Sequence, residues 1–183
     1  FSVSADATNW DRSMLADESY WTSKADHPHL MFNASNKGAF LTFIQTNDAA
    51  AWSSISNRAF SSISQSWWNG VGANPASGNW AMYLAEVGFV WQLTESVVVS
   101  NANPGAELSE LASAYVASGA DQKDAEVVGI SRVRFLGFAY DWLYPLMTEA
   151  QRSNVLWAID SNCQWVLKRY WWYRKDTLSY TKD

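Results

Sequence analysis

The sequence is short of cysteine, histidine and positive charge, and each shortage closes off a class of chemistry. One cysteine, Cys163, in 183 residues excludes an intramolecular disulfide framework. It falls within an apolar helical stripe, which makes it a core thiol rather than a nucleophile. The two histidines, in His27-Pro28-His29, have nothing beside them to complete a metal site, so neither a metal nor a cofactor is expected. Lysine and arginine number 13 against 18 aspartates and glutamates, a net charge of −5. That balance argues against nucleic acid as a partner, because neutralising phosphates needs a basic surface. No apolar run reaches the ~20 residues of a membrane-spanning helix, so no membrane partner is expected. There is no glycine-rich phosphate loop before a helix, no HExxH, no CxxC and no G-x-S-x-G elbow. Strand-like alternation is missing, as are hairpin dipeptides between β-branched runs and any TPR- or ankyrin-type repeat.

What is present is apolar and aromatic. Hydrophobic residues make up 48% of the chain, which argues against global disorder, and twelve are tryptophan. Surplus tryptophan serves cores, since the indole buries a large apolar area; it also stacks on sugar rings. The first residue is Phe1 rather than Met, which reads as a processed or cut chain, a removed export signal being one way to produce it. Asn33-Ala34-Ser35 has the form of a glycosylation sequon, with meaning only in a eukaryotic secreted protein.

The pattern predicts an all-α fold of antiparallel helical hairpins. Residues 1–28 read as an extended arm, and 29–183 as a helical domain. The strongest stretch is 129–152. Val133, Leu136, Tyr140 and Leu143 keep helical spacing, and Pro145 should end that helix and push Tyr144 out of it. Thr148 and Gln151 form a capping box for the next helix. Helices are expected over Trp80–Ser96, Asp124–Leu143 and Glu149–Trp171, with the tail from Arg174 stopping short of another. Before them, Asn33 or Ser35 should cap a helix broken at Asn47-Asp48, and a helix follows whose non-apolar face reads as Ser-rich and uncharged, a surface suited to lying against protein or glycan. Ser77 or Asn79 should cap the helix from Trp80, Pro104 should open a helix, and Ser118-Gly119 should close it. Glu86 and Asp141 sit in apolar surroundings, where a carboxylate must be paired or have its pKa raised. Arg134, seven residues before Asp141, and Arg132 are the expected partners in a buried ion pair. The sharper reading is an acid/base pair for glycoside hydrolysis.

Three motifs also resemble a known family. His27-Pro28-His29-Leu30-Met31-Phe32 and its following helix are similar to the "HPRLLF" opening of heparinase II/III-like polysaccharide lyases. Tyr140-Asp141-Trp142-Leu143-Tyr144 with Thr148-Glu-Ala-Gln-Arg152 resembles their "LAYDWLYD…LTEEQR" corner, and Ser77-Gly78-Asn79-Trp80 resembles the start of an intervening helix. The resemblance runs over most of residues 27–170. It implies part of an incomplete α/α toroid, with the chain as the N-terminal portion of a longer secreted or periplasmic lyase acting on a uronate-containing glycan by β-elimination. No Asn-His catalytic motif occurs here, so the catalytic residues are expected beyond Asp183.

Under that reading the partners are an acidic polysaccharide or oligosaccharide and the remainder of the same polypeptide. The candidate substrate contacts are Trp67, Trp68, Asn69, Trp80, Tyr83, Arg132, Tyr140 and Trp171. The aromatics would stack on sugar rings, Arg132 would meet a carboxylate, and Lys168, Arg169, Arg174 and Lys175 with their neighbouring aromatics would form a positive rim. The alternatives are a non-catalytic glycan-binding helical module and a glycoside hydrolase on a similar toroid.

Overall fold

The computed structural model describes residues 30–32, 35–62, 80–95, 103–119 and 127–179, with the backbone alone at 60–62, 127–131 and 168–179. The helices are α1 (Lys37–Asn47), α2 (Ala49–Ser62), α3 (Trp80–Thr94), α4 (Pro104–Ala117), α5 (Val127–Leu143) and α6 (Glu149–Ser179); a 3-10 turn, Tyr144–Leu146, joins the last two. No strand occurs among the described residues, and the fold is all-α. The arm at 1–28, the two histidines, the sequon Asn33, the loop with Trp67, Trp68 and Asn69, and the caps at Ser77 and Asn79 lie outside the described residues.

Local chemistry sets most boundaries where the sequence places them. Asp48 breaks α1 from α2 at φ −145°, and its carboxylate receives the Ala51 N–H at 3.3 Å. Pro104 occupies the first turn of α4, behind an Asn103 cap that accepts from the N–H groups of Gly105 and Ala106. Gly119 closes α4 at φ +67°, a left-handed position that costs glycine nothing. The capping box forms: Thr148 N–H donates to Gln151 Oε1 at 2.8 Å, and Gln151 N–H to Thr148 Oγ1 at 3.3 Å.

Helix α3 runs from Trp80 to Thr94, two residues short of the expected Ser96, and ends where Glu95 turns left-handed (φ +53°), its carboxylate ion-paired to Lys37. Three expectations are corrected. The residue at the α1 cap is Asn36, in helical backbone geometry, with no capping hydrogen bond from its side chain. Pro145 does not expel Tyr144; the chain tightens into a 3-10 turn, where proline sits early and needs no N–H, and Met147 is the first extended residue. Helix α6 runs on through the polar tail to Ser179, since no glycine or proline follows Pro145 to interrupt propagation.

Side-chain contacts give the helix directions. Tyr115, late in α4, touches Arg132, early in α5, while Gly105 abuts Leu146 and Met147 at the other end, so α4 and α5 run antiparallel. Trp80 meets Tyr115, and Gln92 reaches Trp142, so α3 runs in the same sense as α5. Asn154 donates to Ser109 at 3.1 Å, and Asn162 to the Tyr115 hydroxyl at 2.6 Å, so α6 runs in the same sense as α4. The hairpin α3/α4 is thus stacked on the hairpin α5/α6, with α3 beside α5 and α4 beside α6. Helix α2 lies antiparallel against α3, through Trp52 on Phe89 and Arg58 on Glu86.

Two glycines permit these close approaches. A Cβ on Gly88 would lie 3.0 Å from Trp142 Cβ and Leu143 Cγ, where α3 crosses α5. A Cβ on Gly105 would lie 2.8 Å from Met147 Cγ and 2.9 Å from the backbone oxygen of Leu146. Gly137, on α5, has open space where a methyl would stand, with no neighbouring atom within 4 Å. Gly105→Ala should therefore lower stability by about 1–3 kcal/mol through overpacking. Gly137→Ala should raise it by about 0.5–1 kcal/mol by relieving helix entropy. Urea denaturation midpoints of the two variants should move in opposite directions.

Candidate functional site: the corner after α5

A helix end leaves carbonyls without intrahelical donors. At the corner after α5 three carbonyls, of Trp142, Tyr144 and Leu146, are met by side chains from outside it, Tyr144 O accepting the Met147 N–H as well at 3.2 Å. Gln92, from α3 and nearly buried, donates to Trp142 O at 2.7 Å. Asn103, the cap of α4, donates through Nδ2 to Leu146 O at 3.0 Å. Its Oδ1 meanwhile caps α4, a double role that needs an amide, because Asp lacks the donor. Arg152, from α6, donates through Nε and Nη2 to Tyr144 O at 3.3 and 3.0 Å. Its guanidinium carbon also lies 3.6 Å from the centre of the Tyr144 ring.

The corner also holds the segment before α1. Asp141, nearly buried, accepts the Leu30 N–H at 2.9 Å, and the Trp142 indole N–H donates to Leu30 O at 3.4 Å. One residue ahead of α1 is thus gripped on both backbone groups by adjacent side chains of α5. Met31 then turns left-handed (φ +69°), and Phe32 is driven inward to 2% exposure. Its ring packs on Phe40 at 5.3 Å, Phe89 at 5.9 Å and, with ring planes nearly parallel, Trp142 at 6.4 Å. Phe138 stacks on the Trp142 indole at 5.0 Å.

Tyr140 stands edge-on to Tyr144, ring centres 5.6 Å apart. Burial, followed by the neighbouring Tyr144, pushes its hydroxyl pKa up to about 12, with Arg152 opposing the shift. At neutral pH it is a phenol and a hydrogen-bond donor, not a base. Arg152 is half-buried, with Nε and Nη2 spent on Tyr144 O and no hydrogen bond at Nη1 among the described residues. A guanidinium edge backed by an aromatic ring is a group that can bind a carboxylate.

Of the eight candidate contacts, the four whose side chains are described, Trp80, Tyr83, Arg132 and Tyr140, do not gather at one place. Trp80 has no exposed surface; its ring packs edge-on to Tyr115 at 6.0 Å. Arg132 is 7% exposed and lies 4.8 Å over the same Tyr115 ring, an interior cation with its flat face on an aromatic. Tyr83, half-buried on α3, lies near the Arg58 guanidinium. Tyr140 lies on α5 eight residues beyond Arg132, about 12 Å along the axis. Trp67, Trp68 and Asn69 fall outside the described residues, as do the side chains of Trp171 and of the positive rim at 168–175.

The expected carboxylate partners are also different. Glu86 is gripped by Arg58 of α2, Nη2 at 2.8 Å and Nε at 3.2 Å. Asp141 serves Leu30, and Arg134 lies over the Phe135 ring. Seven residues on one helix span about 10.5 Å, too far for Arg134 to reach Asp141 directly. Both carboxylates are thereby accounted for as structural groups. Cys163 is half-buried, and burial, with Asp160 adding to it, pushes its thiol pKa up, away from nucleophile chemistry. Among the described residues no group of three or more His, Cys, Asp or Glu side chains is placed to hold a metal ion. No helix there is long and apolar enough to cross a membrane.

Arg152, Tyr144, Gln92 and Asn103 are not among the contacts the sequence suggests. Arg152 carries a signal all the same: a cation in the first turns of a helix is opposed by the dipole, so it needs a local acceptor. No protein-family description, curated protein or solved structure matches this chain.

Asp141→Ala should strand the Leu30 N–H and cost about 1–3 kcal/mol, while Asp141→Asn keeps an acceptor and should cost less. Denaturation midpoints of the pair test the ordering. Because the folded Tyr140 pKa, about 12, exceeds the phenol's ordinary 10.0, its contribution to stability is intact below pH 10 and is lost as pH rises through 12. Tyr140→Phe should flatten that alkaline decline, read as midpoint against pH.

Proposed function

We propose that this chain is the N-terminal part of a secreted or periplasmic polysaccharide lyase of the α/α-toroid type, and that its described part binds an acidic glycan without cleaving it. The stacking of hairpin α3/α4 on hairpin α5/α6, each helix parallel to its counterpart, supports the reading. Repetition of that step is how a two-layered toroid is built, and the helices continue the order of the three family-like motifs. Two of those motifs meet in space: the chain around Leu30 is held by the Asp-Trp pair of the corner.

At the corner a uronate carboxylate would take a hydrogen bond from Arg152 Nη1, with the Tyr144 ring behind the guanidinium. β-Elimination needs a base for the proton α to that carboxylate and a group to stabilise the resulting charge. A tyrosine held protonated to about pH 12 suits proton donation and not proton removal, so the base belongs to chain beyond Asp183. The hydrolase alternative loses support because the Glu86 carboxylate is engaged by Arg58 and Asp141 by Leu30.

Calorimetric titration of the 183-residue chain with uronate oligosaccharides should show weak binding that fades with added salt. Arg152→Ala should weaken it about ten-fold, and Trp67→Ala or Trp171→Ala should also weaken it. No unsaturated product should accumulate. Elimination by this chain alone would overturn the assignment of the base to downstream residues, and absence of binding would overturn the glycan reading.

A further inference from the structure

We infer that the free side of the α5/α6 hairpin is a docking surface for a further helical hairpin, formed by the stretch of chain that follows Asp183. Helix α5 repeats a stretch of α3: Gly88-Phe89-Val90-Trp91-Gln92 has its counterpart in Gly137-Phe138-Ala139-Tyr140-Asp141. From Val87 to Leu93 and from Leu136 to Trp142 burial follows the same order, position by position, and departs from it only at the glycines. Gly88 is buried because α5 lies across it, Trp142 Cβ and Leu143 Cγ standing 3.0 Å from where its Cβ would be. Gly137 is half-buried, with no neighbour within 4 Å of the same point. It carries the entropy cost of a helical glycine without the close approach that accompanies it at Gly88. The same notch is cut in both helices, and α5 fills the first.

Both helices are open on the same side. At about 3.6 residues per turn, Gly137 falls opposite Trp142 and Leu143, by which α5 meets α3. On α6, Leu156, Cys163 and Leu167 fall opposite Asn154 and Asn162, which turn toward α4. Leu156 is 43% exposed and Leu167 47%. Covering both rows takes a unit two helices wide, as α5/α6 is to α3/α4; a single extended segment would cover one. In this stack the order in space is the order in the chain, so the next place falls to the next stretch of chain. That step rests on the reading of this chain as the N-terminal part of a longer protein. A second copy has no ready match at the ends of its own stack. Its α2 shows no large exposed apolar side chain among the described residues, and its α5 would lay one notch on another.

Alkylation of Cys163, half-buried on the same row of α6, reports on this surface. Its rate is read by peptide mass spectrometry in the 183-residue chain and in the protein continued through its natural sequence beyond Asp183. Iodoacetamide should modify Cys163 about ten-fold or more slowly in the longer protein, where the docked hairpin restricts access. Gly137→Leu, which fills the notch from within, should restore the rate there while leaving the helical circular dichroism of the 183-residue chain unchanged. Leu167→Asp is the second variant and should act alike. Equal rates in the two lengths would overturn the inference, as would a natural chain that ends at Asp183 or protection indifferent to both variants. Protection that grows with the concentration of the 183-residue chain would overturn it in favour of a second copy. Protection that the longer protein loses when residues 1–28 are removed would overturn it in favour of the N-terminal arm. Absence of glycan binding with Cys163 still shielded would strike the glycan reading alone.

Discussion

The centre of the molecule is governed by the demand of the α5 carbonyls for donors. A proline in the corner removes one N–H at the point where donors are scarcest, so polar side chains must come from elsewhere. Gln92, Asn103 and Arg152 supply them from α3, α4 and α6. Each hydrogen bond fixes one helix against the end of another, giving direction to the apolar packing that holds the two hairpins together. Gly105 belongs to the same arrangement, since any side chain there would lift α4 away from the Leu146 carbonyl that its cap must reach.

How much of this is legible depends on sequence distance. The Thr148–Gln151 box, the proline opening α4 and the break at Asp48 are decided within four residues, and each can be read from the chain. The end of α6 escapes such a reading because polarity alone is no stop signal; a helix stops at a breaker or a cap. Pairing Arg134 with Asp141 by helix face ignores the axial rise between them. Gln92 to Trp142 spans 50 residues, and Leu30 to Asp141 spans 111; no periodicity encodes which of many polar side chains will meet across such spans.

The candidate site is harder to read than the fold for a related reason. Aromatic residues serve interiors and sugar stacking equally well, and only burial separates the roles. Trp80 and Trp142 are interior, whereas Trp157 is half exposed on a face of α6 that it shares with Ser153, Asn154, Asp160 and Ser161. Arg132 looks like a carboxylate ligand by charge, but its flat guanidinium finds an aromatic face inside. The cation placed toward solvent at the corner is Arg152, whose role is set by a carbonyl eight residues earlier.

The grip of α5 on Leu30 bears on how the chain is made. Ribosomal synthesis is vectorial, so residues 30–32 are translated before the carboxylate and indole that hold them, 111 and 112 residues later. At ~5–20 residues per second that interval is roughly 5–20 s, far longer than a helix needs to form. Throughout it Phe32 and the aromatic faces of Phe40 and Phe89 await the indole that joins them. The N-terminal helices therefore complete their packing only after translation has passed Trp142, and until then their apolar surface is a natural client for a chaperone.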